Sequence, residues 1–191
     1  MNLLDRTILL FTGLAALYLA WHSFVNYRKP SKPTRFYIYY LIAFSVLLVA
    51  GLLLILLGYG VLESPWVVVV AALIPLGLSL GLVAEFYPKF EKLYLVFAAI
   101  GVLAITVTRF TGPAGLATIA LIVWHATAGL LIFGLPVALW MQRRTDGNFL
   151  AVTLGGALIG LGGIALAFLK TGRQLLFFSP ELVFAILAPL L

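Results

Sequence analysis

Cysteine is absent from this sequence, and charged residues are scarce. Without cysteine the chain forms no disulfide and no iron–sulfur or Cys-zinc site. Only 9% of its 191 residues are charged, against about a quarter in soluble domains, whereas 64% are apolar and the mean hydropathy is +1.18. These values predict an integral membrane protein in which residues 1–191 form a single transmembrane domain within the lipid bilayer.

Groups for acid–base or hydrolytic chemistry are also missing. The sequence has no intramembrane carboxylate pair, no Ser-His-Asp set, no phosphate-binding glycine loop and no cluster of zinc ligands. Most classes of membrane enzyme therefore lose support. The net charge is +6, but in such a chain basic residues belong in short loops at one membrane face. We expect no nucleic-acid partner.

Seven apolar segments follow one another along the chain. We place the spans at about 7–27, 36–60, 65–86, 93–110, 115–141, 149–169 and 174–191. The expected fold is an all-α polytopic transmembrane helix bundle of about seven spans. We interpret the first segment as a retained span and not as a signal peptide, since Asp5 precedes a long apolar run.

Loop charges orient these predicted spans. If all seven segments cross, eight basic residues lie on the same side of the membrane as the first basic loop (28–35). They are Arg28, Lys29, Lys32, Arg35, Lys89, Lys92, Arg143 and Arg144. The opposite side receives four: Arg6, Arg109, Lys170 and Arg173. Because basic residues accumulate in cytoplasmic loops, we expect the N-terminus outside and the C-terminus in the cytoplasm.

An internal repeat links the third and seventh segments. They begin "SPWVVVVAALIPL" (64–76) and "SPELVFAILAPLL" (179–191), each with a serine at the helix N-cap and a proline at the first helical position. Two parallel halves around the fourth segment would give a 3+1+3 layout. That layout resembles the sugar and vitamin facilitators of the SWEET kind, which implies a small-solute facilitator. Chance recurrence of Ser-Pro helix starts is the alternative.

Small residues and prolines predict how the helices pack. Gly77 and Gly81 lie one turn apart in the third segment, and three glycines share a face of the sixth: Gly156, Gly160 and Gly163. We interpret both sets as seams of close helix packing within the bundle. Prolines inside spans predict kinks at Pro75, Pro136 and Pro189.

The two histidines are the best chemical clue in the chain. His22 lies in "AWHSF" and His125 in "VWHAT", each within an apolar run. Ionisable groups inside a membrane usually mark function, and histidine is the usual axial ligand of haem. We interpret the adjacent Trp21 and Trp124 as aromatic residues that face lipid or the membrane interface.

His125 has the surroundings that suit haem b. Ala128 and Gly129 share its helical face and are small enough for a flat porphyrin to approach. Arg109, with Lys170 and Arg173, is expected to serve the propionates. His22 would need a second ligand, for which we consider Met141 or a partner subunit. The primary hypothesis is a b-type cytochrome-like protein in electron transfer across or within the bilayer, with His125 and His22 as metal ligands.

Depth limits a haem shared by both histidines. Counting from the basic loops separates them by about 18 Å, and counting from the opposite ends by about 9 Å, at 1.5 Å per residue. A shared haem needs alpha carbons within roughly 12–13 Å. The alternatives are one haem site towards each face, histidines that are merely hydrogen-bonded, a facilitator, or an accessory subunit. A homodimer or a membrane-complex partner is compatible with each.

The stretch "LPVALWMQRR" (135–144), followed by a helix rich in glycine and alanine, resembles small archaeal multi-span membrane proteins of a family without an assigned function. This resemblance covers the last third of the chain. It implies a membrane bundle and assigns no functional residue.

Overall fold

The computed structural model describes residues 2–29 and 34–170, and at residues 63, 114 and 162–170 it describes the backbone alone. The described residues form seven α-helices: α1 (Leu3–Tyr27), α2 (Phe36–Leu57), α3 (Pro65–Ala71), α4 (Leu73–Phe86), α5 (Glu91–Thr111), α6 (Ala114–Met141) and α7 (Leu150–Lys170). Short 3-10 segments at Tyr59–Glu63, Pro88–Phe90 and Gly147–Phe149 connect them. The predicted all-α helix bundle is confirmed.

Within these residues, five helical segments are long and apolar enough to cross a bilayer. They are Leu3–Tyr27, Phe36–Leu57, Pro65–Phe86, Pro88–Thr111 and Gly115–Met141. Helix α7 matches the sixth predicted segment. The seventh predicted segment, with Arg173, Pro189 and half of the proposed repeat, lies outside the described residues. The count of seven spans and the 3+1+3 layout therefore stay predictions.

Helix α4 lies at the centre of the bundle, where it packs against α2, α5 and α6. The α2 contact uses the predicted glycine seam. A Cβ atom at Gly77 would come within 3.0 Å of the Cβ atom of Ala43, and at Gly81 the Tyr40 ring fills the space that a side chain would need. Gly156 of α7 likewise packs against Ile132 of α6. The seam at Gly77 and Gly81 is therefore confirmed, whereas in the sixth predicted segment only Gly156 has a close neighbour: a Cβ atom at Gly160 would meet none of the described residues, and Gly163 is described by its backbone alone.

The third span is broken where proline predicts it. Its two halves, α3 and α4, meet at Ala72, three residues before Pro75. Proline lacks the amide hydrogen that would close the helix onto residue 71, so the helical ladder is interrupted there. Ser64 precedes Pro65 at the N-cap of α3, as predicted, but its hydroxyl forms no capping hydrogen bond.

Helix α1 begins four residues earlier than predicted. Asn2 and Asp5 form a reciprocal capping box, with Asp5 N–H donating to Asn2 Oδ1 over 2.8 Å and Asn2 N–H donating to Asp5 Oδ2 over 3.0 Å. Asp5 is buried beside Tyr59, which lies in the 3-10 segment that follows α2. Burial, with the nearby Asp5 carboxylate, raises the pKa of Tyr59 to about 12, so this hydroxyl stays protonated in neutral solution.

The predicted basic loops meet at one end of the bundle, which we call the basic end. Arg144 donates from Nη2 to the carbonyl oxygen of Phe86 over 2.9 Å, and the Phe86 and Phe149 rings lie 5.5 Å apart. Tyr39, four residues after Arg35, bonds to Glu91 at the start of α5. These contacts bring the start of α2, which follows the first basic loop, to the same side as the loops after α4 and α6, as the alternation of spans predicts.

Candidate functional site

Trp124 holds α6 against α5. Its indole N–H donates to the carbonyl oxygen of Phe97 over 2.9 Å, and its ring stacks on Phe97 at a centroid distance of 5.6 Å. It also fills the space beside Gly101, where a Cβ atom would collide with the indole. The prediction that Trp124 faces lipid is therefore wrong, because glycine at position 101 leaves a slot for it. Trp21 is exposed, as predicted, at 63% of its surface.

The position of His125 follows from that of Trp124. Successive residues on a helix point about 100° apart, so His125 faces away from the side of α6 that packs on α5. It lies about 16 Å from the start of α6 and about 24 Å from its end, at 1.5 Å per residue. The residue is exposed on the described bundle. An imidazole therefore lies well inside the membrane-spanning part of α6.

The His125 ring forms no hydrogen bond with any group that the structure describes. Nor does the neighbouring helix α7 offer a side chain that could form one, because residues 154–169 are all glycine, alanine, leucine, isoleucine or phenylalanine. Nearby hydroxyl groups are satisfied: Thr127 donates to the carbonyl oxygen of Val123 over 2.8 Å. In hydrocarbon an unpaired polar group is costly, which makes His125 exceptional in its surroundings.

The two small residues that share the His125 face of α6, Ala128 and Gly129, have different surroundings. Ala128 is fully buried, in contact with Leu76 of α4 and Ala98 of α5. Gly129 is open on the described bundle: a Cβ atom there would meet no described atom of another element within 4 Å. The Gly129 side of His125 therefore has room for a flat ring, whereas Ala128 belongs to the interface of α6 with α4 and α5.

His22 has polar partners. Its Nε2 atom lies 3.0 Å from Asn26 Nδ2, and the same amide donates to the carbonyl oxygen of His22. Lys29 donates to Asn26 Oδ1 over 2.8 Å, and the Tyr37 ring meets the imidazole edge-on at 6.3 Å. The residue lies five positions before the end of α1, about 8 Å along the helix, at the basic end. These contacts make His22 a member of a hydrogen-bonded cluster near the membrane surface.

The structure does not bring the two histidines together. Among the described elements α1 packs against α2, whereas α6 packs against α4, α5 and α7. Their depths also differ: His22 is about 8 Å and His125 about 24 Å from the basic end of its helix. Met141 is 72% exposed at the end of α6 and has no contact with α1, so it is not a neighbour of His22. A haem held by both histidines has no basis in this arrangement.

Arg109 lies at the opposite end from the basic loops, in the last turn of α5. It is half-buried, on the helix that packs on the Trp124 side of α6. Of the other predicted propionate partners, the Lys170 side chain and Arg173 lie outside the description. Arg109 is therefore the one of the three whose place is known.

Two tyrosine–glutamate pairs were not predicted from the sequence. Tyr39 donates to Glu91 Oε1 over 2.7 Å, and Tyr40 donates to Glu85 Oε2 over 2.8 Å. Adjacent residues of α2 thereby reach α5 and α4 respectively. Phenol and carboxylate satisfy each other where both approach hydrocarbon. The clustered tyrosines in "RFYIYY" (35–40), directly after a basic loop, were the available signal.

No family model, curated protein or solved structure matches this chain. The resemblance of residues 135–144 to small archaeal membrane proteins therefore stays a prediction, and the assignment of function depends on the geometry above.

Proposed function

We propose that this chain binds haem b within the membrane, with His125 as an axial ligand, and serves electron transfer within the bilayer. The observation that carries the proposal is the His125 imidazole, which lies deep in α6 without a hydrogen-bond partner among the described groups. Coordination to iron satisfies a ring nitrogen that hydrocarbon leaves unpaired. Haem supplies reversible one-electron chemistry at such a site.

Residues around His125 support this proposal. Gly129 leaves open space one turn further along the same face, which a flat ring requires. Trp124 and Ala128 fix α6 against its neighbours, so the imidazole is carried on a well-packed helix. Arg109 lies at the end of α5, on the Trp124 side of α6 from which His125 faces away, so we assign it no propionate. A second axial ligand would come from a second copy or from a membrane-complex partner.

The absorption spectrum of the purified protein tests this proposal. Protein from haem-replete cells is expected to show a Soret band that shifts on reduction with dithionite. His125→Ala removes the axial ligand and is expected to abolish the band while the protein still elutes from gel filtration like the wild type. A colourless wild-type protein, or an unchanged spectrum in His125→Ala, would refute the assignment.

We further propose that the basic end faces the cytoplasm. Seven described basic residues lie there, namely Arg28, Lys29, Arg35, Lys89, Lys92, Arg143 and Arg144, against Arg6, Arg109 and Lys170 at the other end. The absence of cysteine makes labelling direct. Arg143→Cys should react with a membrane-impermeant maleimide only after cells are opened, and Thr111→Cys in intact cells. The reverse pattern would invert the proposed orientation.

A further inference from the structure

A lateral groove runs between α2 and α5, two helices that do not pack against each other. Its volume is about 200 Å³, and α4 forms its floor. The walls are almost entirely carbon, from Tyr39 and Ile42 on α2, Leu73 and Gly77 on α4, and Ala99 and Val102 on α5. Gly77 on this floor lets α2 approach α4 closely, since a Cβ atom there would come within 3.0 Å of Ala43. The groove is partly open at the side of the bundle, where a membrane protein meets lipid.

The basic end of the groove is polar. The Tyr39–Glu91 hydrogen bond of 2.7 Å joins α2 to α5 there. Arg35 lies one turn before Tyr39 on the same face and is close enough to act electrostatically on its hydroxyl group. Lys89 and Lys92 are exposed on either side of Glu91. Three basic residues against one carboxylate, which is already engaged by Tyr39, leave a net positive charge beside an apolar slot.

We propose that this groove binds one acyl chain of an anionic phospholipid from the surrounding leaflet, with its phosphate beside Arg35 and Lys92. The charge at the mouth identifies the occupant, since a polar headgroup of opposite sign lies directly above the chain in a bilayer lipid. An acyl chain gains little by leaving other lipid tails for an equally apolar groove. Selectivity therefore comes from the headgroup, at about fivefold for each basic residue near an anionic surface.

Native mass spectrometry with defined lipids tests the proposal. The purified full chain is titrated with dioleoyl phosphatidylglycerol or dioleoyl phosphatidylcholine, and bound lipids are counted. We expect one phosphatidylglycerol to bind at least fivefold more tightly than phosphatidylcholine, and Arg35→Gln to remove about fivefold of that preference. Arg143→Gln removes an equal charge at the same end, away from the groove, and should retain the preference.

A second pair of variants tests the groove itself. Ala99→Phe fills it and should abolish the tightly bound lipid, whereas Ile100→Phe adds a similar ring at an exposed, lipid-facing site of α5 and should leave binding unchanged. Equal binding of both lipids by the wild type, or equal effects of Arg35→Gln and Arg143→Gln, would overturn the proposal. So would lipid retention in Ala99→Phe. These results do not depend on haem.

Discussion

His22 and His125 follow a tryptophan in nearly identical contexts, yet the structure gives them opposite surroundings. His22 lies near the membrane surface and shares hydrogen bonds with Asn26, next to Lys29. His125 lies about 16 Å from the nearer end of its helix, and no described group forms a hydrogen bond with its ring. Polar surroundings are available at the surface and absent in hydrocarbon. Depth therefore decides which histidine has a hydrogen-bond partner among the described groups.

The two tryptophans differ in the same way. Trp21 is exposed beside Phe24, at a ring distance of 6.0 Å, whereas Trp124 is anchored by a hydrogen bond and by stacking on Phe97. One tryptophan lies at the edge of the bundle, and the other is part of the α5–α6 interface. The Trp-His dipeptide is thus not a repeated functional motif.

The largest expected effect is a difference in stability between variants of these two tryptophans. Trp124→Ala should lower the free energy of unfolding by about 3–5 kcal/mol, because it leaves a cavity beside Gly101 and removes the indole hydrogen bond to the Phe97 carbonyl oxygen. Trp21→Ala should cost less than about 1 kcal/mol, since it removes an exposed side chain. Equilibrium unfolding in mixed micelles measures both values. Similar losses in the two variants would abolish the contrast.

A second, smaller difference is expected in the haem affinity of variants at two open glycines of α6. Gly129→Leu occupies the space beside His125 and should weaken haem binding at least about tenfold, or 1.4 kcal/mol. Gly134→Leu is the matched control, because Gly134 is equally open and lies on the opposite face of α6. Haem titration followed by absorbance compares them. Equal affinities in both variants would remove Gly129 from the site.

The smallest effect is expected at His22. Asn26→Leu removes its hydrogen-bond partner and should cost about 1 kcal/mol of stability. Haem binding should not change, because the cluster has no contact with α6. Thermal melting and a haem titration on one preparation give both readouts. A loss of haem in Asn26→Leu would link His22 to the site after all.

The sequence predicts the spans well because their physics is local. Each backbone group in hydrocarbon must be paired within its own helix, so long apolar runs form helices irrespective of their neighbours. The predicted segments 93–110 and 149–169 accordingly agree with α5 and α7 to within two residues. The start of α1 was missed because Asn2 and Asp5 cap the helix before its apolar run begins.

Side-chain partners were harder to predict because they depend on which helices become neighbours. Tyr39 and Tyr40 meet Glu91 and Glu85 only because α2 packs on α4, which hydropathy does not encode. Trp124 lies inside the bundle because Gly101, on another helix, makes room for it. His125 could be selected from sequence, since an ionisable residue within a span is rare, but its separation from His22 required the helix order.

The most direct measurement is a haemin titration of His125→Ala and His22→Ala, side by side with the wild type. We expect His22→Ala to retain the wild-type affinity and spectrum, whereas His125→Ala should give no saturable Soret change. Saturable binding by His125→Ala, or its loss in His22→Ala alone, would contradict the assignment of His125 as the ligand.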